Sequence, residues 1–140
     1  MADLLDQVLA ERGRVIRIWT EHIPPSVNEA YRNAGAARDG KKHGRIKTKV
    51  LTDWLDAFGW DVNKAMRGHK RIDLPYEITI TIDRSKRHHA ADIMNREKAV
   101  SDALKTFGVI KDDRLCDSGT VRWGSADGGM LVEIRPVDPM

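Results

Sequence analysis

Cysteine is nearly absent from the chain: Cys116 stands alone among 140 residues. No internal disulfide can form, and a single thiol suits a reducing cytoplasm. Long apolar runs are missing too. Nothing approaches the ~18 consecutive apolar residues of a membrane span, and the N-terminus lacks a signal-peptide pattern. A membrane role and secretion are therefore not expected, and a cytoplasmic protein is. There is no internal repeat and no sign of a second domain. What remains has the length of one ordinary domain, enough to bury a core without staples. A hydrophobic fraction of 41% and a charged fraction of 32% describe a globular chain with a heavily charged surface.

The net charge of +3 says little by itself; its distribution says more. Arg32, Arg38, Lys41, Lys42, Arg45, Lys47 and Lys49 fall in one stretch against Asp39 alone. A second basic cluster runs Arg84-Ser85-Lys86-Arg87-His88-His89. Such clusters bind phosphate backbones through counterion release. Either one alone reads as a solvated loop, and the two adjacent histidines would point apart rather than share a metal. Two clusters flanking a group of carboxylates favour a polyanionic substrate.

Residues 2–12 have the apolar spacing of a short amphipathic helix, with Leu4, Leu5, Val8 and Leu9 on one face and Gly13 as its stop. Arg14 to Thr20 reads as a strand, broken by Pro24 and Pro25. Residues 26–47 lack periodicity and read as a long loop. Thr48 is placed to cap a helix to about Ala65, with Val50, Leu51, Trp54, Leu55 and Phe58 as its stripe and Gly59 as a weak point. Trp60 joins Trp54 and Phe58 as a candidate core residue. Tyr76 to Asp83 alternates cleanly and is the best strand of the chain. A helix is expected from about Asp92 to Phe107, stopped by Gly108, and two closing strands near Ser118–Trp123 and Met130–Pro136, joined by a turn at Ala126-Asp127-Gly128-Gly129. The pattern predicts a single α/β (α+β) domain, a small mixed sheet with helices packed on it.

The richest stretch is residues 91–117. On an ideal helix Asn95, Lys98 and Asp102 fall within ~60° of Asp92. Ile93, Val100, Ala103, Leu104 and Phe107 fall on the adjoining, packing side. Asp112 and Asp113 follow after an apolar turn. Singly these are ordinary: Asp92 suits a helix N-terminus, Lys98 and Asp102 are an i, i+4 pair, and Asp112–Asp113 suits a turn. Together they bring carboxylates and a lysine close enough for magnesium chemistry. Asp92 and Asp113 would supply oxygen ligands, and Lys98 would neutralise charge developing on phosphorus. Cys116, with no base signature nearby, reads as a small buried hydrophobe.

The run D-x-x-N-x-x-K-x-x-x-D-A-L followed by G-V-I-x-D-D resembles the RusA family of Holliday junction resolvases. So does Pro24-Pro25-Ser26-Val27-Asn28-x-x-Tyr31-Arg32, which lies just after a first strand. The likeness spans roughly residues 15–136. It implies residues 1–13 as an N-terminal helical extension and 14–140 as a RusA-like nuclease domain. It further implies a homodimeric, magnesium-dependent endodeoxyribonuclease acting on four-way junctions in DNA recombination and repair. Asp92, Lys98 and Asp113 match catalytic positions of the family, Asn95 its motif asparagine, and Asp102 and Asp112 further acidic positions, Asp112 a candidate metal ligand. Asn28, Tyr31, Arg32, Lys41, Lys42, Arg45, Lys86 and Arg87 are candidate DNA contacts.

The family pattern D-x-D-N is not fully kept, because the chain reads Asp92-Ile93-Met94-Asn95. A thioether is a poor ligand for magnesium. Glu97, one helical turn beyond Met94, is positioned to reach back in its place. The alternative is a catalytically weakened protein that binds branched DNA without cutting it.

Overall fold

The computed structural model describes residues 14–33, 45–87 and 93–137, with the backbone alone for 31–33 and 45–46. The expected extension at 1–13, Lys41, Lys42 and Asp92 lie outside the described residues. The elements are β1 (Ile16–Thr20), α1 (Val27–Ala30), β2 (Tyr31–Asn33), β3 (Arg45–Lys47), α2 (Lys49–Ala65), β4 (Tyr76–Asp83), α3 (Glu97–Thr106), β5 (Cys116–Gly124) and β6 (Met130–Pro136). Four strands form one mixed sheet in the order β1-β6-β4-β5, and β2 and β3 form a separate ribbon. This is an α+β fold.

Alternation decides the faces. Tyr76, Ile78, Ile80 and Ile82 of β4 turn to one side, with Ile16 and Ile18 of β1 and Met130, Val132 and Ile134 of β6, and all are buried. Leu51, Trp54, Phe58 and Val62 of α2 and Val100, Ala103 and Leu104 of α3 complete that core. Each buried side chain of this size contributes about 2 kcal/mol of transfer free energy. The opposite face carries ion pairs, with Arg17 3.2 Å from Glu133 and Arg135 3.1 Å from Glu77.

Helix α2 begins where the capping rule puts it: Leu51 N donates to the Thr48 hydroxyl at 3.3 Å. Gly59 does not end it. A Cβ there would sit 2.9 Å from the Phe107 ring, so the glycine lets the end of α3 pack close. Val50, in the first turn, is exposed. Trp60 is 78% exposed and not a core residue, because it falls on the helix face opposite Trp54 and Phe58. Among the described residues no helix is long and apolar enough to cross a membrane.

The segment read as a loop from 26 to 47 carries α1 and the β2–β3 ribbon. Its two ends are pinned together: the Thr48 hydroxyl donates to the Glu29 carbonyl at 2.7 Å and to that of Ala30 at 3.2 Å. The expected helix over 92–107 starts instead as a 3-10 turn, Ile93–Arg96, and becomes α-helical at Glu97. Strand β6 covers the expected Met130–Pro136, β5 is longer than expected at Cys116–Gly124, and the two do not pair with each other. β5 runs parallel to β4 on one side, and β6 runs antiparallel to it on the other. The turn between them wraps the end of β4. There Asp83 Oδ2 accepts from Ala126 N at 2.8 Å and Gly128 N at 3.0 Å, while Oδ1 accepts from Ser85 N at 3.0 Å.

Candidate active site

Two consecutive devices build the site. The first is the start of α3. Val100, Ala103 and Leu104 bury one face of that helix against the sheet, leaving Glu97, Lys98 and Asp102 on an adjoining, more open side with Ser101 buried at its base. The second is the chain's return to β5. Gly108 ends the helix with φ 74°, Val109 and Ile110 plunge into the core, and Ile72 N holds Val109 O at 2.8 Å. A 3-10 turn, Asp113–Leu115, then delivers Asp113 beside the helix.

Glu97, Lys98, Ser101, Asp102, Asp113 and Cys116 together line an open groove of about 310 Å³. The Ser101 hydroxyl donates to Glu97 Oε1, fixing that carboxylate against the helix. Lys98 Nζ lies 3.3 Å from Asp102 Oδ2. Tyr76 lies buried beneath. Burial pushes its phenol well up, and the nearby Cys116, Asp113, Glu97 and Asp112 push it further. The Cys116 thiol is raised too, first by desolvation and then by Glu97 and Asp117. It is therefore a protonated thiol at neutral pH. It is also exposed, contrary to the buried position expected of it, because it opens edge strand β5 at the groove's mouth.

Asp112 is adjacent but differently employed. It caps the 3-10 turn, accepting from Arg114 N at 3.0 Å, with the Arg114 guanidinium at 3.3 Å and Lys105 Nζ at 3.9 Å. The hydrogen bonds from Arg114 hold its carboxyl well below the usual carboxylate range. Asn95 is exposed in the turn before α3 and does not line the groove. Met94 is 73% exposed. Among the described residues no three His, Cys, Asp or Glu side chains gather as a metal cluster.

The candidate DNA contacts separate into two places. Asn28 is exposed on α1, and Tyr31, Arg32 and Arg45 contribute backbone to the β2–β3 ribbon. Lys86 and Arg87 follow β4, with Lys86 bordering a cleft beside Ile23 and Trp54. Sequence reasoning missed Ser101, Tyr76 and Arg96. Ser101 was findable, four residues after Glu97 on the same helix face. Tyr76 was hidden by reading its strand only for packing. Arg96 is buried among the described residues, which nothing in its basic, polar neighbourhood announces.

An α+β domain with a lysine and carboxylates in one groove, in a chain with two basic stretches, has the features of a phosphodiester-cleaving enzyme. The family model for Endodeoxyribonuclease RusA matches residues 22–135. The chain belongs to the RusA endodeoxyribonuclease family, and so to a family of nucleases. No curated protein matches it. Strand β1 precedes the matched region, yet it completes the sheet by pairing Ile16 to Thr20 with Ile134 to Met130 of β6.

Proposed function

We propose that the protein is a magnesium-dependent, structure-selective endonuclease that resolves Holliday junctions in recombination and repair. The observation that supports this most is the shared groove: Glu97 and Asp113, from separate segments, line it with Lys98. A hard cation suits the carboxylates of this donor set, which has no imidazole among the described residues and an open side for water and phosphate oxygens. Asp92, Glu97 and Asp113 would hold the metal, with Glu97 standing in for the carboxylate that Met94 does not provide. Magnesium bound there would polarise the scissile phosphate and lower the pKa of an attacking water. Lys98 faces the charge that develops on phosphorus, and Asp102 holds Lys98 in place. Asp112, engaged by Arg114, sets the turn that presents Asp113. Asn95, in the turn heading α3, would be a supporting residue beside Asp92.

Asn28, Tyr31, Arg32, Lys41, Lys42, Arg45, Lys86 and Arg87 would carry the phosphate backbone. Paired nicks across a junction need two symmetry-related sites, which a C2 homodimer supplies. The nuclease domain would be residues 14–140, with 1–13 as an added helical extension, and the protein would work in the cytoplasm.

The test compares a four-way junction with a linear duplex of the same sequence, with and without magnesium. Paired, magnesium-dependent nicks confined to the junction are expected. Lys98→Met should cost on the order of 10²-fold in single-turnover rate, and Glu97→Gln at least about tenfold. Equal, metal-independent cutting of both DNAs would overturn the proposal. Tight junction binding without cleavage, converted to cleavage by Met94→Asp, would favour the weakened binding protein instead.

A further inference from the structure

We propose that Arg96 is a positioning residue: a buried guanidinium that clamps the Pro24–Glu29 segment to the turn heading α3, holding the DNA-facing ribbon and the hydrolytic groove in one geometry. The inference rests on the nuclease reading of that groove. The Arg96 side chain is only 10% exposed. Its Nη1 donates to the Pro24 carbonyl at 2.6 Å, and its Nη2 lies 3.4 Å from Glu29 Oε1.

That Glu29 oxygen is itself fixed. It accepts from Ser26 N at 3.2 Å and from the Ser26 hydroxyl at 3.0 Å, while Glu29 N donates back to the same hydroxyl at 3.3 Å. This is a capping box at the start of α1. Hydrogen bonds from Ser26, with Arg96 adding its charge, keep the Glu29 carboxyl ionised by holding it below its ordinary range. The Glu29 and Ala30 carbonyls in turn receive the Thr48 hydroxyl that caps α2. The head of α3 is thus tied through Arg96 to the start of α1, and α1 in turn through its carbonyls to Thr48 at the start of α2. The next residue after that cation is Glu97, a wall of the groove.

Stability alone does not explain an arginine here. Its Nε is buried with no hydrogen-bond partner among the described residues, which costs free energy. An apolar replacement of one partner is costly where the other charge stays buried, but Glu29 is half-exposed and water can take it up once Arg96 is gone. What an apolar side chain lacks is the directional bond to Pro24 and Glu29. A displacement of about 1 Å in a catalytic group costs on the order of 10²-fold in rate.

The experiment uses the full chain with Arg96→Met and Arg96→Lys. Arg96→Met is expected to melt within about 5 °C of the parent and to bind the junction within about threefold. Its single-turnover rate at saturating junction should fall by tenfold or more, and Arg96→Lys, which still reaches the Pro24 carbonyl, should recover part of that loss. A second readout needs no activity. In a Cys116→Ser background, spin labels at Lys47→Cys and Lys105→Cys report the distance between ribbon and α3. One narrow distribution is expected, broadened or shifted by Arg96→Met. An unchanged distribution with Arg96→Met overturns the clamp whether or not the parent cuts DNA. A parent that cuts no junction while its distances still depend on Arg96 overturns the nuclease reading and leaves the clamp standing.

Discussion

At the scale of the residue, carboxylates that look alike in the sequence do different work. Asp113 faces the groove, Asp112 caps a turn, and Asp83 gathers three backbone N–H groups from two segments. Those N–H groups hold the Asp83 carboxyl well below the usual range. The sign follows. Above the ordinary carboxylate pKa of about 4, Asp83 is ionised folded and unfolded, and its stabilisation is fully present. Below it the unfolded chain takes up the proton first, and the stabilisation is lost as pH falls through the depressed folded value. Asp83→Asn should therefore melt lower than the parent at pH 7, with the gap closing from about pH 4 downwards. Melting curves across pH 2 to 7 check this, and a constant gap counts against it. The tryptophans teach the same lesson: Trp54 is stacked on Phe58 with ring centroids 4.8 Å apart, whereas Trp60 faces solvent. Composition marks all of these residues as apolar, and only the helix phase separates them.

At the scale of the element, periodicity and caps were legible where burial is one-sided. The strand at Tyr76–Asp83, the helix capped by Thr48 and the packing side of α3 all follow from spacing. What spacing lacks is the partner. Strand β5 is exposed along most of its length, with only Val121 and Trp123 packed against the core, so its pattern does not say that it lies beside β4 rather than β6. The α1 turn and the ribbon escaped notice because their order comes from Ser26, Glu29 and Thr48 bonding across the chain, not from an apolar stripe. The groove was half legible. Glu97, Lys98, Asp102 and Asp113 stand close in the sequence, but the Arg96 tie spans 72 residues to Pro24. Among the described glycines, Gly129 in the β5–β6 turn has the closest neighbour. A Cβ on Gly129 would come within 2.1 Å of the Thr20 carbonyl oxygen, a backbone atom that cannot swing aside. Gly129→Ala should cost about 3 kcal/mol, read as a lower urea midpoint with an unchanged slope.

At the scale of the whole molecule, the domain keeps its helices on one face of the sheet and an ion-paired lattice on the other. Exposed basic side chains stand at Lys47 of the ribbon and at Arg84 and Arg87 after β4, so DNA affinity should fall steeply with salt. Lys86→Ala and Arg87→Ala should each lower the slope of log K against log salt by about 1 while weakening junction and duplex alike. An unchanged slope would remove both from the phosphate footprint. The order β1-β6-β4-β5 also constrains when the protein can become a protein. The strand that sits between β1 and β4 is the last of the four to be synthesised. Until Met130–Pro136 leaves the ribosome, β1 has no pairing partner and Ile16 and Ile18 have no completed core to enter. Strictly vectorial folding from the N-terminus is thus closed to this sheet: β4 and β5 can pair first, while β1 stays unpaired until a late, long-range closure.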